Sequence, residues 1–219
     1  GGVVGVMRRE LAKELGITNS LIFYERCFVL IEGETEENAL PILYRKQYGR
    51  SILEDGIRII NVNGNGAIKE FLKLLSRNRK QMTVVFVDTD TKGQKSAKLT
   101  AEMLREAGFD QDFVRERLLY VGDQEFEDCF VDGVIADCLQ RHWPKRNGDA
   151  WRGSDISMIR GSKKFSDSIR KLVWDCCDEQ PPPWSKPVFG QKIAEQCEID
   201  CIPARIRDLF NIARSIAED

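Results

Sequence analysis

The chain has 219 residues, 42% of them hydrophobic and 31% charged, with a formal net charge of −2. That length accommodates one large domain or two small ones around a real core. No apolar run approaches the length of a membrane span and no secretory signal is visible, so the expectation is a soluble cytoplasmic protein with no membrane partner. The first residues are Gly1-Gly2 rather than a methionine, which reads as a piece of something longer.

In chain order, Val6 to Leu15 predicts a short amphipathic helix closed by Gly16, and Ile17 to Arg26 leads into a first strand. That strand, Phe28-Val29-Leu30-Ile31, is a short apolar run of the buried kind. It ends in Glu32-Gly33, where glycine permits a tight turn. A helix from about Glu36 to Tyr48 follows, with Thr35 as a candidate cap. Pro41 inside it predicts a later start or a bend. Gly56 to Val62 predicts a second strand, broken by Asn63-Gly64-Asn65-Gly66. Ala67 to Ser76 predicts a helix with Ile68, Phe71, Leu72 and Leu75 on one face. A third strand, Met82 to Val87, ends in Asp88-Thr89-Asp90. A helix from Ser96 to Gly108 and a strand from Leu118 to Val121 complete an alternation that predicts an α/β fold with a mostly parallel sheet flanked by helices.

Beyond Gly122 the pattern turns helical. Phe126 to Leu139 predicts one helix, and Lys192 to Ala217 one or two, divided near Pro203. Between Arg141 and Lys171 there are nine Lys/Arg against three Asp, although the chain is net acidic. Pro181-Pro182-Pro183 predicts a rigid break. The division expected is a helical lead-in over 1–25, a catalytic α/β domain over 26–140 and a basic helical subdomain over 141–219.

Seven cysteines and a single histidine give no paired ligand spacing of the kind structural zinc requires, and an odd count does not complete a disulfide framework. A reducing compartment follows. His142 and the tryptophans Trp151, Trp174 and Trp184 are read as packing residues.

The chemistry concentrates at two strand ends. In open α/β sheets ligands bind at the carboxyl edge of the strands. Glu32 and Glu36 after one strand, with Asp88 and Asp90 after another, would place four carboxylates at that edge. They would repel one another unless cations lie between them. Carboxylate oxygens suit Mg²⁺ or Mn²⁺, which near a phosphodiester activate water and neutralise the leaving oxygen. Glu34 and Glu37 are explained more simply, as favourable charges at a helix amino end.

Glu32-Gly33-Glu34-Thr35-Glu36 and Asp88-Thr89-Asp90 resemble the two signature motifs of the Toprim domain of topoisomerases, primases and several nucleases. A longer set is more specific: Val29 to Gly33, Ile60 to Gly64, Val87 to Asp90, and Glu125-Phe126-Glu127-Asp128. It resembles the nuclease region of the OLD (overcoming lysogenization defect) family, over about Phe28 to Phe165. There a Toprim domain and a helical subdomain follow an ABC-type ATPase. The resemblance implies metal-dependent DNA cleavage, with Glu32, Glu36, Asp88 and Asp90 as metal ligands and an ATPase domain upstream. The 219 residues contain no G-x-x-x-x-G-K-[ST] motif of their own.

Many Toprim proteins carry another acid directly after the D-x-D motif, where this chain has Thr91-Lys92-Gly93. The loop after the fourth strand is the substitute donor, with Glu125 the first choice and Glu127 the second. OLD nucleases also have a lysine in their helical part. Lys164 is matched to it ahead of Lys163, as the group that offsets charge at the scissile phosphate. Arg152, Arg160, Arg170 and Lys163 belong to the same basic stretch and would contact DNA phosphates without reading bases.

The function expected is a DNA endonuclease using two divalent ions, with Glu32, Asp88 and Lys164 as its catalytic residues; dimerisation stays open. The alternatives are a non-catalytic module whose metal organises a DNA- or protein-binding surface, and a topoisomerase- or primase-type Toprim protein.

Overall fold

All five side chains of strand β1 (Cys27–Ile31) are buried, which demands a covering layer on each face of its sheet. The computed structural model describes residues 25–63, 68–93, 97–161, 164–177 and 183–219 and contains both layers. Strands β2 (Ile57–Asn61), β3 (Thr83–Asp88) and β4 (Leu118–Val121) join β1 in the order β2-β1-β3-β4. Every pairing is parallel, and the register sets Leu30 beside Ile60 and Val85, and Asp88 beside Val121.

Period-two alternation sorts the side chains. Phe28, Leu30, Val85 and Val87 enter one core with helices α2 (Ile68–Asn78), α3 (Ala101–Glu106) and α4 (Gln111–Arg117). Val29, Ile31, Val84 and Phe86 enter the other, shared with helix α1 (Glu34–Tyr48) and the carboxy-terminal helices. The expected α/β sandwich is therefore present, its sheet wholly parallel.

Helix α1 begins at Glu34 and runs through Pro41 to Gly49, whose left-handed φ of +71° ends it. Acids in its first turn and Arg45 and Lys46 in its last both complement the helix dipole. Helix α2 buries the four apolar residues that its spacing predicts. The helix predicted up to Gly108 is present as α3, shorter at its start, and a second helix that the pattern does not predict, α4, follows it. Gly108, at φ +101°, ends the first stretch, and the Asp110 carboxylate caps α4 through the Phe113 amide at 2.8 Å.

A second difference follows β4. Phe126–Cys129 is a 3₁₀ turn, and helix α5 (Asp132–His142) starts only after it. The cause is Asp128, whose carboxylate accepts from the amides of Asp123 (2.7 Å), Gln124 and Glu125 (both 2.9 Å). It ties the preceding loop into a closed turn rather than opening a helix.

Helices α6 (Gly153–Ser157), α7 (Phe165–Cys176), α8 (Lys186–Gln196) and α9 (Ala204–Glu218) follow. Ser185 caps α8 six residues before the predicted start, and Pro203 stands at the amino end of α9, where the division was expected. These helices share one core with α1 and the sheet, through residues such as Trp143, Ile169, Phe189 and Phe210. Helix α8 packs along α1 and α9 lies against β1, β3 and β4. Lys46 on α1 donates to the carbonyls of Glu195 (2.6 Å) and Cys197 (2.7 Å), fastening the carboxyl end of α8.

All seven cysteines are unbridged, and burial pushes the Cys27 and Cys138 thiols up to about 12. Trp143 and Trp151 are buried, whereas Trp174 is exposed. Among the described residues no helix is long and apolar enough to cross a membrane. The predicted helix over Val6 to Leu15, most of the Asn63 to Gly66 turn, Lys163 and Pro181-Pro182 lie outside the described residues.

Candidate functional site

At the carboxyl edge of the sheet the loops after β1, β3 and β4 meet the amino ends of α1, α7 and α8 around a cleft of about 730 Å³. Glu32, Glu36, Asp88, Asp90, Glu125, Lys164 and Lys186 all line it. Both strand-end motifs therefore open onto one space, as does part of the loop after β4.

Each carboxylate is held differently. The Glu32 Oε1 atom accepts from the amides of Lys98, at 2.6 Å, and of Leu99, so the segment after β3 closes back over it. Desolvation nevertheless pushes its carboxyl above the ordinary range, the two amides working against that. Glu36 folds back from the first turn of α1. A Cβ at Gly33 would stand 2.2 Å from its Oε2, so glycine here leaves room for the carboxylate to fold back, at an ordinary φ. Glu36 is buried, and desolvation raises its pKa.

The Asp-Thr-Asp turn is laced to β4. Thr89 donates its hydroxyl to the carbonyls of Val121 (3.1 Å) and Gly122 (2.8 Å), and the Asp90 amide donates to Gln124 (3.0 Å). Asp88 itself is raised well above the usual carboxylate range, by burial first and the nearby Glu36 charge second. Its buried Oδ1 has no hydrogen-bond partner.

Glu125 and Glu127 have opposite environments. The Glu125 carboxylate accepts from the Ser166 amide (2.8 Å) and hydroxyl (3.0 Å) and from the Lys186 ammonium (3.0 Å). Burial pushes its carboxyl up, but these donors more than offset it and hold the pKa below the ordinary value. Because Ser166 lies in the first turn of α7, Glu125 also acts as an acceptor at that helix's amino end. Glu127 is fully buried, both of its oxygens lack a hydrogen-bond partner, and burial pushes it up to about 8.

Lys186 is the residue that sequence reasoning missed. It opens α8, between the capping Ser185 and Pro187. Its Nζ lies 3.0 Å from Glu125, 3.3 Å from Asp88 Oδ2 and 3.5 Å from Glu127 Oε2. The last distance makes an ion pair without a hydrogen bond. Burial opposes the ammonium charge, but Glu127, Asp88 and Glu125 outweigh it and raise its pKa. The available signal was Ser-Lys-Pro after a proline run, the pattern of a capped helix start with proline inside it.

Lys164 lines the same cleft from the amino end of α7, while Arg160 is turned elsewhere. The Arg160 guanidinium donates to Asp132 (2.5 Å), to the Asp128 carbonyl (2.7 Å) and to the Phe130 carbonyl. Arg152 is exposed at the start of α6, and Arg170 pairs with Asp167 on its own helix.

Among the described residues no three His, Cys, Asp or Glu side chains are arranged to hold a metal ion; Asp88, Glu125 and Glu127 gather around Lys186 instead. The donor set still fits a hard divalent cation. It is all oxygen, it is acidic, and Asp88 Oδ1 and both Glu127 oxygens are buried without a hydrogen bond, Glu127 Oε2 having only its ion pair with Lys186.

Residues 23–90 match the family model described as "Overcoming lysogenization defect protein-like, TOPRIM domain", a span that ends on Asp90. No curated protein matches the chain in sequence. Among solved structures it is similar to the C-terminal region of the Xanthomonas campestris pv. campestris OLD protein, at 17% identity and a TM-score of 0.58. That similarity covers 90% of this chain and 97% of the other. It is likewise similar to the C-terminal region of the Burkholderia pseudomallei OLD protein, at 18% identity and a TM-score of 0.57, covering 89% of this chain and all of that one. Residues 23–90 thus carry the likeness to an OLD-like TOPRIM domain, and the chain has the fold of an OLD protein's C-terminal region.

Proposed function

We propose that the chain is a metal-dependent DNA endonuclease that hydrolyses phosphodiester bonds, working with two Mg²⁺ or Mn²⁺ ions. The observation that carries this reading is the convergence of the two acidic strand-end motifs on one cleft, with buried oxygens on Asp88 and Glu127 that accept no hydrogen bond. Glu32, Glu36, Asp88, Asp90 and Glu127 would hold the ions. When bound, such ions lower the pKa of a coordinated water and neutralise the leaving oxygen.

The remaining roles belong to the chain. Glu125, already occupied by Ser166 and Lys186, serves as the tether of α7 and α8 to the loop after β4. Lys186 and Lys164, together with Lys98, bring positive charge into a cleft rich in carboxylates. In that position they offset the charge that develops on the phosphate oxygens, which is where preorganised cations contribute most. The exposed Arg152, and Lys163 beside Lys164 in the sequence, would add phosphate contacts without sequence preference. An upstream ATPase domain, in a longer chain of the OLD type, belongs to the same proposal.

The test is incubation of the protein with supercoiled plasmid in EDTA, Mg²⁺ or Mn²⁺, beside the Asp88→Ala variant. Metal-dependent nicking or linearisation that disappears in the variant is the expected result. Relaxation into closed topoisomers would replace the hydrolase with a topoisomerase. DNA binding by a folded protein without any cleavage would favour a binding module in which Lys186 neutralises the acidic cluster permanently.

A further inference from the structure

Helix α8 brings Lys186 to the carboxylates, and a glycine in its interior determines how closely it can approach them. Gly190 follows Lys186 by four residues, one turn along the same face. It is buried, and a Cβ built on it would lie 2.3 Å from Thr35 Cγ2, 3.6 Å from Thr35 Cβ and 3.9 Å from Glu127 Oε1. Thr35 is itself buried in the first turn of α1, between Gly33 and Glu36. Glycine inside a helix is ordinarily unfavourable relative to alanine. Here its absent side chain is filled by the threonine methyl, so the two helices meet nearly backbone to side chain.

The far end of α8 is fixed as well, by the two Lys46 hydrogen bonds to its last carbonyls. The helix is thus seated on α1, the element that carries Glu36, at its middle and at its carboxyl end. A methyl group at position 190 would need about 1 Å more room, since packed interiors leave no space for it. The amino-terminal turn of α8 would swing outward and carry the Lys186 ammonium with it.

We propose that Gly190 is a positioning residue acting through Lys186: by admitting the Thr35 methyl it sets the α8–α1 spacing, and with it the reach of the ammonium among Asp88, Glu125 and Glu127. The kinetic part of its test rests on the hydrolytic function proposed above; the spectroscopic part does not.

The experiment compares wild type, Gly190→Ala, the Gly190→Ala/Thr35→Ser double variant and a Gly133→Ala control. Thr35→Ser deletes the methyl that a new Cβ would strike. At Gly133 on α5 a Cβ meets nothing within 4 Å, so that control isolates the generic effect of alanine in a helix. In protein with ¹⁵N-labelled lysine, the Lys186 ammonium resonance is identified by its loss in Lys186→Met. A salt-bridged ammonium exchanges slowly enough to be seen. The resonance is expected to shift or broaden in Gly190→Ala, to return in the double variant, and to be unchanged in the control. On plasmid DNA with Mn²⁺, kcat is expected to fall about tenfold or more in Gly190→Ala with KM unchanged, as misplacement of about 1 Å does elsewhere. The double variant is expected to recover most of it.

An unchanged resonance and unchanged kcat in folded Gly190→Ala would overturn the assignment, and so would failure of Thr35→Ser to restore either. Should wild type cleave nothing, the hydrolytic reading fails and the ammonium resonance alone decides the role of Gly190. Should Gly190→Ala not fold, the double variant carries the test. It must fold with the wild-type resonance, and the proposal falls if it does not.

Discussion

The Lys186 ammonium stands 3.5 Å from Glu127, a carboxylate with no exposed surface and no hydrogen bond. The same ammonium also pairs with Asp88 and Glu125. A single tethered cation therefore balances the buried half of the acidic cluster. Removing it takes the counter-charge from Glu125, which is held ionised, and pushes Asp88 and Glu127 further toward their protonated forms. Lys186→Met is expected to lose about 1–3 kcal/mol of stability in EDTA at neutral pH, less than a fully buried pair because about a third of the lysine is exposed. Mn²⁺ should restore part of that loss. Urea unfolding with and without metal measures both, and equal stability of the variant and wild type in EDTA would contradict the balance described.

Glu127 sets a pH dependence. Its folded pKa, about 8, lies above its ordinary value of 4.5 because burial disfavours the charged form. Between those two values the folded protein holds a proton that the unfolded chain has released. The stabilisation is complete below about pH 4.5 and is lost as pH rises toward 8, with a slope of at most about 1.4 kcal/mol per pH unit. In EDTA, wild type is expected to lose stability over that window while Glu127→Gln shows a flatter profile. Thermal unfolding across pH 5–8 reads the difference.

The two acids of the loop after β4 should separate in their response to metal. Glu125 is committed to Ser166 and Lys186, so Glu125→Gln weakens the junction with α7 and lowers cleavage while changing Mn²⁺ affinity little. Glu127 has unused oxygens, so Glu127→Gln is expected to weaken Mn²⁺ binding tenfold or more, about 1.4 kcal/mol. Calorimetric titration of both variants decides the ligand. The reverse pattern would make Glu125 the donor.

The sheet and the position of the cleft were legible because their causes are local. Phe28 to Ile31 and Thr83 to Val87 are short apolar runs that end in carboxylates, and buried parallel strands permit little else. The helix that Asp110 caps is not predicted because its seven residues bury only Phe113 and carry little periodic signal. The pattern starts a helix at Phe126, since nothing local reveals that Asp128 holds three amides behind it. Lys186 is the clearest case. It lies 98 residues from Asp88 and 61 from Glu125 in the chain, and its role comes only from α8 packing on α1. Arg160 shows the converse. Its place in a basic run suggested phosphate binding, but Asp132 and two carbonyls hold its guanidinium.

Arg160 and Arg152 therefore make opposite predictions despite their shared stretch of sequence. Arg160 joins the end of the 3₁₀ turn, through the carbonyls of Asp128 and Phe130, to the first residue of α5, and its guanidinium stands over the Phe165 ring. Arg160→Ala would leave those carbonyls and Asp132 short of donors, costing about 2–3 kcal/mol. It should lower the unfolding midpoint without altering the salt dependence of DNA binding. Arg152 is exposed on α6, so Arg152→Ala should leave stability within about 0.5 kcal/mol of wild type. If it contacts a phosphate, its loss weakens DNA binding for every sequence alike and reduces the slope of log affinity against log salt by about one. Fluorescence anisotropy with an oligonucleotide duplex over a salt series, paired with urea unfolding, distinguishes the two. A change in salt slope for Arg160→Ala with stability intact would show that its guanidinium leaves Asp132 to bind DNA.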